Sequence, residues 1–152
     1  MPDTLPLDQP HAARQKWMAV LARAQADMLG ERLGDPPAYR VLRGPETGLV
    51  MVRGRTGGGG APFNLGEMTA TRCTIRTDDG FVGHAYIAGR NERLAELAAL
   101  ADALLQDPVR RPVLLAEVIE PLAQAQQAQR EAVAAKAAAT RVQFFAMQNM
   151  RS

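Results

Sequence analysis

This chain has little of what most chemical sites are built from. It holds a single cysteine, Cys73, among 152 residues, so no intramolecular disulfide and no cysteine-based metal cage can form. Its two histidines, His11 and His84, lie too far apart in sequence to make a metal motif. Aromatic residues make up 5% of the chain, and no basic stripe carries aromatics for stacking bases, which argues against nucleic acid. No apolar run approaches the roughly 20 residues of a membrane helix. The opening MPDTLPLDQP lacks the basic and apolar regions of a secretory signal. The chain therefore reads as cytoplasmic, with no membrane partner and no bound metal. No Ser-His-Asp or Cys-His arrangement is legible.

What is present fits one domain over residues 1–152, long enough to bury a core. The formal net charge is +2, but it is unevenly spread. Residues 40–90 carry seven arginines against four acids, and residues 91–109 one arginine against four acids. A basic middle followed by an acidic helix suits subunit docking or capture of a phosphate-rich ligand.

The expected fold class is α+β, an antiparallel sheet with an N-terminal helix and C-terminal helices packed on it. Residues 1–9 read as a loose arm. A helix is expected from Pro10, with Trp17, Leu21, Ala24 and Met28 on one face, ending at Gly34, Pro36 and Pro37. Four strand-like runs follow: Tyr39–Leu42, Leu49–Arg55, Met68–Thr77 and Phe81–Ala88. Asp78-Asp79-Gly80 joins the last two as a hairpin. Alternation puts Arg53 and Arg55 opposite Val50 and Val52, and Arg72 and Arg76 opposite Cys73 and Ile75. Asn91 is the expected N-cap of a helix with a Leu94, Leu97, Ala101 and Leu104 stripe, closed by Asp107-Pro108. Pro121 interrupts the apolar run Val113–Ile119, so a helix is kinked or restarted there. The Ala- and Gln-rich stretch after it has high helix propensity but little bulk to bury. Val142, Phe144, Phe145, Met147 and Met150 crowd into residues 140–152, which read as a tail that either clasps this domain or anchors a partner.

Most of the candidate chemistry lies between Pro45 and Cys73. Four consecutive glycines, Gly57–Gly60, are costly to order. Beside Arg53 and Arg55 they can bring backbone amides and positive charge to an anion, or they can form a hairpin tip. The loop is no Walker loop, lacking a Gly-Lys-Ser/Thr ending, and no GxGxxG opening a helix. Arg53, Arg55, Gly57, Gly58, Gly60 and Arg72 are the candidate ligand contacts, because guanidinium forks suit phosphate and carboxylate. Glu46 and Glu67 flank the segment and are expected to be solvated rather than paired for acid–base work. His84 is expected to be half-buried and hydrogen-bonded, and Cys73 to act as a small hydrophobe.

The motifs also occur in a distinctive order. Arg14-Gln15-Lys16-Trp17-Met18 comes first, then Glu46-Thr47-Gly48-Leu49-Val50, Arg55 and Gly57-Gly58. Thr71-Arg72, Asp79-Gly80, Gly89-Arg90, Asp102-Ala103-Leu104, Pro121-Leu122 and Arg141-Val142 with Phe144-Phe145 and Met147 follow. This order resembles the PhnG family, a subunit of the bacterial carbon–phosphorus lyase system. The sequence departs from the family pattern at Gly59, Gln143 and Ala146. The resemblance implies a role in phosphonate use alongside PhnI, PhnH, PhnJ and PhnL. It implies that the complex, with ATP as substrate, replaces adenine by a phosphonate to give an α-D-ribose 1-alkylphosphonate 5-triphosphate. The nucleosidase chemistry in that picture falls to PhnI and the carbon–phosphorus cleavage to PhnJ. This chain is then a required, non-catalytic subunit with no cofactor of its own, and Val142, Phe144, Phe145 and Met147 are its partner contacts. The rival reading is a self-sufficient small enzyme or phosphate-binding protein working through the glycine loop and arginines.

Overall fold

The computed structural model describes residues 9–141. The chain is α+β, with a three-stranded antiparallel sheet in the order β1-β2-β3 and helices on both sides of it in sequence. Helix α1 spans Gln9–Leu21 and α2 spans Ala26–Leu33. The single N-terminal helix expected from the sequence is thus two. A turn tightens the chain, with the Arg23 amide donating to Val20 O and the Ala24 amide to Leu21 O at 3.2 Å each. The break lets Trp17, Leu21, Ala24 and Leu29 all enter the core. The expected loose arm also loses its last residue, because Gln9 is already helical.

The first two expected strands are one. Strand β1 runs from Tyr39 to Arg55, β2 from Pro62 to Thr77 and β3 from Val82 to Ala88. Irregularities in register between Val41 and Glu46 carry β1 through Gly44-Pro45 without ending it. Alternation then fixes the faces. Thr71, Cys73, Ile75 and Thr77 of β2, with Gly83, Ala85 and Ile87 of β3, point into the core, while Arg72, Arg76, His84 and Tyr86 point out.

Helix α3 (Glu92–Gln106) lies on that inner face. The expected cap is present, Asn91 Oδ1 accepting the Leu94 amide at 2.9 Å. Ten of its residues are buried, more than a single stripe supplies, because α1 and α2 cover the side turned away from the sheet. At Gly83 sheet and helix touch. A Cβ there would run into Ala99 O and the Ala103 backbone, so only glycine permits the contact.

After Asp107 the chain turns into α4 (Arg111–Leu114), passes through a π turn (Leu115–Ile119) and continues as α5 (Glu120–Ala139). The proline therefore does not break the helix. Pro121 cannot donate to the carbonyl four residues back, and that carbonyl, Glu117 O, accepts from Arg32 Nη1 at 3.0 Å instead. The π turn before it sends the Glu120 amide to Leu115 O. Leu122 anchors α5 to the core, and most of the helix beyond it is exposed.

One carboxylate joins these layers. Asp102, in the middle of α3, is fully buried. It accepts from Arg14 Nε (3.1 Å) and Nη2 (2.7 Å), from Trp17 Nε1 (2.9 Å) and from the His84 amide (3.0 Å). Arg111 extends the group, its guanidinium 5.8 Å from the Trp17 ring centre and its Nε donating to Leu105 O at 2.7 Å.

Replacing Asp102 by Ala strands the buried Trp17 and His84 donors. Each unsatisfied buried donor costs about 1–3 kcal/mol, so Asp102→Ala should lower stability by roughly 2–6 kcal/mol. Urea unfolding followed by circular dichroism measures this, and a loss below about 1 kcal/mol would contradict the role given to Asp102.

Candidate functional site

Beyond the Ala70–Ala88 pair, β3 ends and β1 and β2 continue alone as a two-stranded arm. The candidate arginines and glycines sit mostly at its tip. Thr56–Gly58 forms a short 3₁₀ turn closing the hairpin. Gly57 and Gly58 have φ of 60° and 80°, which side-chain-bearing residues rarely adopt. The Gly60 amide donates to Thr56 O at 2.9 Å, and a Cβ on Gly60 would stand 2.8 Å from that oxygen. The three candidate glycines are thus accounted for by the turn itself. Arg55 Nη1 donates to Gly60 O at 3.2 Å and braces the turn, while Arg53 is exposed.

Arg72 is elsewhere. By register it pairs with Glu46, while Arg53 pairs with Asn64. Arg53 is seven steps of extended strand beyond Glu46, roughly 23 Å at ~3.3 Å per residue. The faces differ too: Arg53 and Arg55 follow the phase of core-facing Thr47, and Arg72 points outward. The six candidate residues therefore form a tip cluster of five and a separate Arg72.

Around Arg72 is an ion-pair triad. Glu46 Oε1 accepts from Arg43 Nε at 2.7 Å and from Arg72 Nε at 2.6 Å. The hydrogen bond from Arg43, then that from Arg72, holds the Glu46 carboxyl below its ordinary pKa. Glu67 pairs with Met51 further along the arm, so the two glutamates do not converge, as expected.

His84 differs from expectation in being exposed, though it is hydrogen-bonded, its Nδ1 lying 3.1 Å from Thr74 Oγ1. It shares a shallow pocket of about 380 Å³ with His11 and Arg14. The sequence kept the two histidines apart, and the packing of α1 beside β3 unites them. Among the described residues no group of three or more His, Cys, Asp or Glu side chains is placed to hold a metal ion. A larger groove of about 690 Å³ runs between the α1–α2 turn and α5, lined by Met28, Leu122 and Gln126 with Arg23 and Arg130. Cys73 is buried, and desolvation, with the Glu96 carboxylate second, pushes its thiol up to about 11. It behaves as the small hydrophobe expected. Val142, Phe144, Phe145 and Met147 lie outside the described residues.

The structure thus shows an apolar-flanked arm with a braced basic tip, and no convergent nucleophile, base and orienting group among the described residues. Comparison with known proteins places this geometry. The family model for "Phosphonate metabolism protein PhnG" matches residues 12–150. The chain belongs to the PhnG family. A relative from Rhizobium meliloti (strain 1021), the "Alpha-D-ribose 1-methylphosphonate 5-triphosphate synthase subunit PhnG", is 45% identical over 139 residues, covering 90% of this chain and 88% of the relative. The PhnG match spans α1 to α5 and includes the whole arm.

Sequence reasoning missed Asp102 and Tyr39. Tyr39 Oη donates to Glu96 Oε1 at 2.8 Å, tying the start of β1 to α3. Burial, and then the hydrogen bond to the Glu96 carboxylate, pushes the Tyr39 hydroxyl up from 10.0 to about 12. A raised acid pKa means the folded state holds its proton more tightly. The stability Tyr39 contributes is therefore complete below pH 10 and lost as pH rises toward 12. Tyr39→Phe should show a shallower loss of urea stability across that window, and a fall parallel to the unmodified chain would contradict the linkage.

Proposed function

We propose that this chain is the PhnG subunit of an α-D-ribose 1-methylphosphonate 5-triphosphate synthase acting in phosphonate catabolism. The observation that carries the reading is the 45% identity to a named subunit of that synthase over 90% of the chain. In this reaction the bond between the ribose of ATP and adenine breaks. A phosphonate oxygen takes the vacated ribose carbon, and adenine leaves. The chain assists that transfer within a complex and carries no cofactor of its own. PhnI, PhnH, PhnJ and PhnL are the proposed partners, with PhnI supplying the nucleosidase chemistry, and the setting is the cytoplasm. The braced tip supports an assisting role: Arg53 and Arg55 are exposed near the end of the arm, where their guanidinium groups are open to an anionic group outside this chain.

The test is reconstitution. Adenine release from ATP with methylphosphonate should require this chain together with its partners and be absent from this chain alone. Turnover by the isolated chain would instead favour a self-sufficient enzyme using the glycine loop. Within the assembled complex, Arg55→Ala should slow turnover about tenfold to a hundredfold, the loss of one charge-assisted hydrogen bond of roughly 1.5–3 kcal/mol. Normal kinetics in an intact assembly would remove Arg55 from the ligand, and dissociation of the assembly would move it to the interface.

Replacing both Phe144 and Phe145 by Ala should weaken assembly while leaving the helical circular-dichroism signal unchanged. Aromatic anchors at interfaces are worth ~2 kcal/mol or more. A pull-down as strong as that of the unmodified chain would remove the tail from the interface.

A further inference from the structure

The arm has a shape and a surface that the described residues do not satisfy. From Leu49 to Arg55 on β1 and from Pro62 to Met68 on β2, no third strand and no helix among the described residues lies over it. A lone two-stranded hairpin is at best marginally stable in water. Five large apolar side chains on it, Leu49, Met51, Phe63, Leu65 and Met68, are between 39% and 65% exposed. They occur on both faces. Val50 pairs with Met68 and Gly54 with Phe63 on one face, and Met51 pairs with Glu67 on the other. Register skips Leu65, which is left unpaired in a bulge and lies over Gly54, where a Cβ would collide with it. Gly54 thus lets Leu65 join Phe63 as a compact apolar knob beside the basic tip. Isolated exposed apolar residues need no explanation, but Leu65 and Phe63 gathered over Gly54 make one exposed apolar group on a projecting hairpin, and such a group marks an interaction site.

Apart from residues 142–152, which lie outside the described residues, three occupants are open to such an arm: a second copy, a lipid surface or a different protein. Charge decides against the second copy. Strand β1 carries Arg40, Arg43, Arg53 and Arg55 against Glu46 alone, a net charge of 4 − 1 = +3. Pairing its free edge with the same edge of another copy would set like charges against one another. The free edge amides and carbonyls favour a protein over a lipid surface, because in lipid an open strand edge has no hydrogen-bonding partner.

We infer that the β1–β2 arm, with the Phe63–Leu65 knob and the Arg53 and Arg55 flank, inserts into an apolar groove with an acidic rim on another subunit of the synthase. This rests on the reading of the chain as a synthase subunit. The groove takes the apolar knob, the acidic rim takes the arginines, and a strand of the partner can add to the open edge.

The experiment is co-purification and titration of this chain against the remaining synthase subunits, co-expressed without it. The chains compared are the unmodified one, Leu65→Asp with Phe63→Asp, and Arg53→Glu with Arg55→Glu. The unmodified chain should bind, and each pair of substitutions should weaken binding at least tenfold. Thermal unfolding of the free chains should stay unchanged, because the arm lies outside the core. The Arg→Glu pair also serves if the apolar pair unfolds the chain. Failure of the unmodified chain to bind would overturn the synthase reading itself. Binding of both variants as tight as that of the unmodified chain would overturn the arm alone. Dimerisation of the free chain that the Leu65→Asp pair abolishes would assign the arm to a second copy. Arm-dependent binding to phosphatidylglycerol vesicles would assign it to a lipid surface. Either result overturns the proposal.

Discussion

The buried carboxylate of Asp102 is the constraint on which the fold turns. A charge taken out of water is tolerated only when its hydrogen-bonding capacity is filled. Here it is filled from three directions at once: the guanidinium of Arg14 and indole of Trp17 from α1, and the backbone amide of His84 from β3. Those partners can meet only if α1 lies beside β3 while α3 lies under the sheet. Apolar packing alone would let α1 slide along α3, since Ala-rich faces are nearly featureless. The bidentate Arg14–Asp102 pair and the edge amide fix its position. The same carboxylate occupies an amide on an edge strand that would otherwise be open to another strand.

A second polar junction works in the same way at the other end of α3. The Thr71 hydroxyl, fully buried, donates to Gly89 O at 2.7 Å, accepts the Asn91 amide at 3.2 Å and lies 3.1 Å from the Thr47 hydroxyl. It therefore ties β1, β2 and the entry to α3 together just where the three-stranded sheet gives way to the arm. The described residues contain no buried side-chain nitrogen or oxygen without a partner. The polar groups of the described body are thus satisfied, and the arm carries five of the exposed large apolar side chains.

Much of this was legible from local chemistry. The α+β class, the Asp78-Asp79-Gly80 hairpin, the Asn91 cap and the end of α3 at Asp107 all follow from rules that act within a few residues. What failed was non-local. The break between α1 and α2 serves contacts with α3 and the π turn. Strand β1 continues through Gly44-Pro45 because β2 supplies a partner on both sides of that dipeptide. Asp102 stands in sequence only as part of the Asp102-Ala103-Leu104 motif, and nothing local shows that it is buried or that its partner is an arginine 88 positions away. Of the candidate ligand residues, alternation correctly paired Arg53 with Arg55, but strand register alone reveals that Arg72 faces the other way and belongs to Glu46.

The glycine run shows how function and fold compete to explain one motif. Four glycines beside two arginines suggest a loop shaped for an anion. In the structure Gly57 and Gly58 supply the positive φ of a tight turn, and Gly60 the close approach to Thr56 O. Arg55 is partly spent on bracing that turn. A turn held this firmly at the end of a long, uncovered hairpin is not needed to stabilise the body, which the sheet, α3 and the polar junctions already secure. A braced turn closes the hairpin and also lets the tip arrive at a partner in a fixed shape. Pre-ordering a loop lowers the entropy lost when it is seated against a partner. In this chain the glycine motif is accounted for by the turn itself, and on the proposal that the arm docks, the same turn pre-shapes the tip that would be seated.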